Sequence, residues 1–138
     1  MRGVSSLQEK WLDQQKRDDI AVFVVWSDQL FAGARHVPEA AELMPDRRAR
    51  HYWDGDRVLG RAYQDRLEAG GRRFELDREA WDVWLLFDRD ARWGEGGPPQ
   101  PSWWEHQLRG PLPPERRLDP ERFAARAAQL LARPRPPR

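Results

Sequence analysis

The chain has no cysteine among its 138 residues. Disulfides, thiolate nucleophiles and cysteine-held metals are therefore excluded. It also lacks an excess of either charge. Its 24 Lys and Arg against 23 Asp and Glu leave a net charge of +1. That field is too weak to gather nucleic acid or anionic lipid. No apolar run is long. The longest, Ile20 to Trp26, falls well short of the ~20 residues that cross a bilayer. No apolar stretch of signal-peptide type stands behind Met1-Arg2-Gly3-Val4. The expectation is a soluble cytoplasmic protein with no membrane partner. Gly-rich phosphate loops, a G-x-S-x-G elbow and zinc-finger spacing are also missing, so no cofactor or metal is expected.

What is present is charge, arginine and tryptophan. Charged residues make up 34% of the chain, nearly all the positive charge is arginine, and there are 8 tryptophans. Buried indoles need partners for their N–H groups, and exposed ones need a reason to be there. A chain of this length fits one domain with a real core. Residues 1–133 read as that domain and 134–138 as a disordered Pro/Arg tail.

Ser6-Leu7-Gln8-Glu9 has the form of a capping box, with Leu7 and Trp11 on one face of the helix it would open and Asp13 paired with Arg17. Ile20 to Trp26 is apolar without alternation, which predicts a strand covered on both faces. Ala34, Val37, Ala41 and Met44 share a helical face that Pro38 kinks or restarts and Pro45 ends. Arg48 to Trp53 alternates as a second strand. Leu59, Tyr63 and Leu67 then repeat every four residues, and Gly70-Gly71 reads as the helix end. Trp81 to Phe87 is a third apolar strand, turning at Asp88-Arg89-Asp90-Ala91 into a return strand at Arg92-Trp93. Asp119-Pro120-Glu121 starts the last helix, with Phe123, Ala127, Leu130 and Leu131 on one face. Helices alternating with strands predict an α/β fold, a mixed sheet of about four strands with helices on both faces.

This order resembles the thioredoxin-like superfamily. Val22-Phe23-Val24-Val25-Trp26-Ser27-Asp28 is similar to that family's central strand and the Trp ahead of its active site. Trp81-Asp82-Val83-Trp84-Leu85-Leu86-Phe87-Asp88-Arg89-Asp90 is similar to its I-P-T-x-x-x-F-x-x-G stretch. The resemblance spans residues 20 to 131 at the level of element order and implies a three-layer sandwich. It puts Leu30 and Gly33 at the two cysteine positions, Asp82 at the cis-proline and Asp90 at the usual glycine. Thiol–disulfide oxidoreductase activity is thereby excluded, while the scaffold remains. A non-proline cis bond costs about 2.5–4 kcal/mol, so the Trp81–Asp82 peptide is expected to be trans.

Ligands in open α/β sheets gather beyond the C-terminal ends of the strands. That places Trp26, Asp28, Gln29, Trp53, Asp54, Trp81 and Asp82 around one cleft, with indoles beside carboxylates. The cleft favours a basic peptide segment or amine-bearing ligand. Two chemistries compete with simple binding there. His51, Asp54 and Asp56 carry imidazole and carboxylate ligands for a metal, or else Asp54 or Asp56 caps the next helix. Asp28 and Asp82, if close, form an acid–base pair, or else both are turn residues. Trp103 and Trp104 are adjacent, so in an extended segment their rings point opposite ways. One of them is offered to a partner or to a second copy. Three functions follow: a redox-inactive binding module for a protein segment or small ligand, a cysteine-independent enzyme using Asp and His, or a homo-oligomeric structural protein.

Overall fold

The computed structural model describes residues 2–29, 33–76, 79–108 and 112–134. Helix α1 (Arg2–Lys10) leads through a 3₁₀ turn (Leu12–Gln14) to strand β1 (Val22–Ser27). A second 3₁₀ turn (Ala34–His36) runs into α2 (Val37–Ala41), followed by β2 (Ala49–Asp54) and α3 (Val58–Tyr63). Then come β3 (Leu67–Ala69), β4 (Arg72–Phe74), β5 (Val83–Leu86), β6 (Trp103–His106), a 3₁₀ turn (Pro114–Arg116) and α4 (Pro120–Leu131).

The fold is mixed α/β, but among the described residues its strands form three two-stranded sheets rather than one sheet of four: β1 with β2, β3 with β4, β5 with β6. β1 and β2 run parallel, in step from Val22 beside Ala49 to Ser27 beside Asp54. β5 and β6 are antiparallel, from Val83 opposite His106 to Leu86 opposite Trp103.

Side-chain alternation splits the interior in two. Leu7, Trp11, Leu12, Met44, Phe123 and Ala127 form one cluster, joined by Val22 and Val24 of β1 and by Trp84, Leu86 and Trp103 of the β5–β6 pair. Tyr63, Leu67, Leu76, Ala80, Trp104 and Leu112 form the other, joined by Val83 and Leu85. Both faces of β5–β6 are therefore covered, each fully buried Leu contributing ~2 kcal/mol or more. β1 departs from the expectation of two covered faces: Phe23 is 63% exposed.

Local chemistry explains several departures from the sequence pattern. α1 begins at Arg2, so Ser6 lies inside the helix and caps nothing. Arg17 pairs with Asp19 instead of Asp13. Pro38 sits in the first turn of α2, where its missing N–H costs nothing, so it restarts the helix without kinking it. Gly70 and Gly71 adopt φ of 59° and 75°. That conformation, open to glycine, makes them the turn of the β3–β4 hairpin rather than a helix end. Leu67 is consequently a strand residue. The partner of β5 is Trp103–His106, not Arg92–Trp93.

The start of α4 follows the sequence closely. Asp119 accepts hydrogen bonds from the amides of Glu121 and Arg122, with Pro120 at the first helical position. Arg133 beyond this helix is tied to Asp88 at 2.5 Å, while 135–138 of the expected tail lie outside the described residues. Among the described residues, no helix is long and apolar enough to cross a membrane.

Candidate functional site

A cleft of about 1530 Å³ opens between β1 and β5. Every residue of both strands borders it, and α3 contributes Leu59, Gly60 and Tyr63. Six of the seven residues expected at the strand ends line it: Trp26, Gln29, Trp53, Asp54, Trp81 and Asp82. Asp28 is half-buried and outside the lining. Leu30, one of the two positions the resemblance equates with cysteines, lies outside the described residues. Gly33 borders the cleft.

The β1–β2 register sets the imidazole. Trp26 and His51 lie on the same face, their rings 6.1 Å apart and nearly parallel at 9°. The Trp26 indole N–H donates to His51 Nδ1 at 3.1 Å. His51 Nε2 lies 3.1 Å from the Met44 carbonyl. An acceptor at Nδ1 and a donor at Nε2 are what one neutral tautomer supplies. Both ring nitrogens are thus committed inside the protein, and His51 is a sheet residue rather than a ligand.

Asp54 is also occupied. Its two carboxylate oxygens accept from the amides of Val58 at 2.9 Å and Leu59 at 2.8 Å. It satisfies the opening donors of α3, the capping alternative to metal binding. Asp56 is exposed in the turn beside it. Among the described residues no three His, Asp or Glu side chains converge as a metal site. Asp54→Ala is expected to cost about 1 kcal/mol in stability by urea unfolding, with Asp54→Asn retaining much of it.

Asp82 does not hold a cis bond. Among the described residues every peptide is trans. The residue instead takes the left-handed conformation, with φ of 53°. Asp tolerates that region better than most side chains. This turns the chain immediately before β5 and leaves the carboxylate exposed at the mouth.

The sequence pointed to Gln29 but not to the Arg57–Glu79 pair that it joins at this mouth. Glu79 accepts from Arg57 at 2.7 Å and from Gln29 at 3.1 Å. These bonds, the Arg57 one first, hold the Glu79 carboxyl down at about 2. The Arg57 guanidinium is raised in turn, first by the hydrogen bond to Glu79 and more weakly by the charge of nearby Asp28. The cluster ties the end of β1 to the segment before β5. Gly60 allows that segment to lie close. A Cβ there would stand 2.8 Å from the Ala80 carbonyl, and the Gly60 carbonyl accepts from the Ala80 amide at 2.9 Å. No single sequence motif joins residues 29, 57, 60 and 79.

The two tryptophans expected at an interaction surface are placed differently. Trp104 is 2% exposed and donates its indole N–H to the Glu68 carbonyl. It is a core residue, and that part of the expectation is corrected. Trp103 points the opposite way, as adjacent strand residues must. Its ring is half-buried between two cations of its own chain, the guanidinium carbons of Arg116 at 3.9 Å and Arg126 at 4.2 Å. Neither indole is free for a partner. Among the described residues the large exposed apolar side chains are Phe23, Tyr52, Val58, Phe87 and Trp93, and all but Val58 border the cleft.

The arrangement is an apolar slot with a charged, mostly self-paired rim. Among the described residues it offers no assembled nucleophile–base pair, and its chemistry suits binding. No family model, no curated protein and no solved structure matches the chain.

Proposed function

We propose that this chain is a thioredoxin-like domain without redox chemistry, acting in the cytoplasm as a binding module for a protein segment or small ligand. One observation carries the reading: the cleft along β1 and β5, with aliphatic and indole walls and Asp82 open at its mouth. The thioredoxin-like assignment draws support from two features. Parallel β1–β2 and antiparallel β5–β6 share one core with α1 and α4. The second cluster, with Tyr63 of α3, covers the other face of β5. Nucleic acid is a poor partner for a mouth at which Arg57 is engaged by Glu79 and the Asp82 carboxylate stands exposed. The competing enzyme reading has lost its imidazole to Trp26 and Met44 and one carboxylate to the α3 amides. The exposed Phe23–Tyr52 pair, 6.3 Å apart, favours a second reading as a homo-oligomer, which sedimentation of the Phe23→Ser variant tests.

The test of binding is amide shift mapping with a neutral apolar dye, Nile red. Shifts should begin at Val24, Trp26, Trp81 and Leu85. Shifts confined to residues 116–138 would move the site to the arginine-rich end.

A further inference from the structure

We infer that the occupant of this cleft is an extended polypeptide strand, hydrogen-bonded at once to the facing edges of β1 and β5. The inference rests on the binding reading and narrows it to one partner chemistry.

The two strands flank one core. Val22 and Val24 of β1 and Trp84 and Leu86 of β5 pack on the same cluster. Yet no ladder joins them: β1 pairs with β2, and β5 with β6. The cleft runs along both. Ladder geometry decides which backbone groups face it. The Val22 amide donates to the Arg48 carbonyl at 3.1 Å. In a parallel pair alternate residues bond the same neighbour, so Val22, Val24 and Trp26 face β2. Phe23 and Val25 turn their N–H and C=O groups to the other edge. On β5, the carbonyls of Asp82 and Leu86 accept from Gln107 and Ser102. Val83 and Leu85 therefore direct their backbone groups away from β6.

Each wall thus presents alternating donors and acceptors within an apolar slot. Backbone groups in such surroundings require partners. A small apolar molecule supplies none. A second backbone supplies both kinds at the matching repeat, which is how strand addition to a sheet edge gains affinity. β1 offers six residues and β5 four, so the fit is to a stretch of about five. Phe23 and Phe87, 63% and 37% exposed, are apolar surface for its side chains to cover. Asp82 at the mouth favours a basic residue at that end of the peptide.

The experiment uses the full chain and two synthetic peptides, acetyl-Lys-Val-Thr-Val-Thr-Val-Lys-amide and the same sequence N-methylated at alternate residues. N-methylation removes backbone donors while keeping the side chains. Titration is followed by calorimetry and by amide exchange at Phe23, Val25, Val83 and Leu85. The expected result is saturable binding of the first peptide, at least tenfold slower exchange at those four amides, and at least tenfold weaker binding of the second. Equal binding of both peptides, or binding without slowed exchange at these amides, overturns strand addition. Nile red binding in the cleft with no peptide binding also overturns it while leaving the site itself standing. Failure of both probes removes the site as well.

Discussion

Arg48→Ala is expected to lower the unfolding free energy by about 3–5 kcal/mol, with Tm falling on the order of 10–20 °C. The Arg48 side chain is only 8% exposed and its partner Asp46 10%. It donates to both Asp46 oxygens, at 2.8 and 2.6 Å. It also donates to the carbonyls of Leu12, Gln15 and Arg17 at 2.7, 2.9 and 2.9 Å. One planar guanidinium thus fastens the turn after α1 to the entry of β2. Alanine leaves a buried carboxylate and three carbonyls without their donor. Lysine, a point charge with a different donor geometry, should recover little of the loss. Calorimetric unfolding of the three proteins checks the ranking. A loss under 1 kcal/mol for Arg48→Ala would mean that the connection before β1 docks without this residue.

The same pair gives the protein an acid limit. The hydrogen bond from Arg48, foremost among several causes, lowers the Asp46 carboxyl from 3.8 to about 2, and Glu79 falls from 4.5 to about 2. Both folded values lie below the unfolded ones. Their stabilisation is therefore full above about pH 4.5 and is lost as pH falls toward 2. Urea unfolding between pH 7 and pH 2 should show this limb, and Asp46→Asn should flatten it.

Trp104→Ala is the second large effect, about 3–5 kcal/mol by the same unfolding measurement. The indole is 2% exposed, packs edge-on against Phe74 at 6.2 Å and bonds the Glu68 carbonyl at 2.6 Å. It thereby pins the β3–β4 hairpin onto β6. Trp103→Ala should cost about half as much or less, because that ring is half-buried and its arginines can return to water. The reverse order would contradict the assignment of Trp104 to the core. The neighbouring Glu105 is fully buried and accepts from Trp103, Arg122 and the Asp119 amide. Its place joins β6 to the start of α4.

Much of the frame was legible in the sequence because it is written in local chemistry. The alternation of Ala49, His51 and Trp53 against Arg50 and Tyr52 marks β2. Asp54 and Asp119 mark helix starts. The strand ends located the cleft residues. The misreadings have one physical cause: local pattern carries no information about distant pairing. Leu67 continues the spacing of Leu59 and Tyr63, but two glycines in left-handed conformation make it a strand. Trp93 follows the turn after β5 with the right alternation, yet the pairing partner begins ten residues later at Trp103. Buried Glu105 and His106 look like surface residues in the sequence, because their partners come from other elements. The Gln29–Arg57–Glu79 cluster is assembled by the fold alone.

Strand addition requires that β1 and β5 leave their facing edges open. Amide hydrogen exchange in the free protein measures this residue by residue. Phe23 and Val25 are expected to exchange at least a hundredfold faster than Val24 and Trp26, whose amides face β2. Equal protection at all four positions would show β1 hydrogen-bonded on both sides, with no cleft for a ligand to enter.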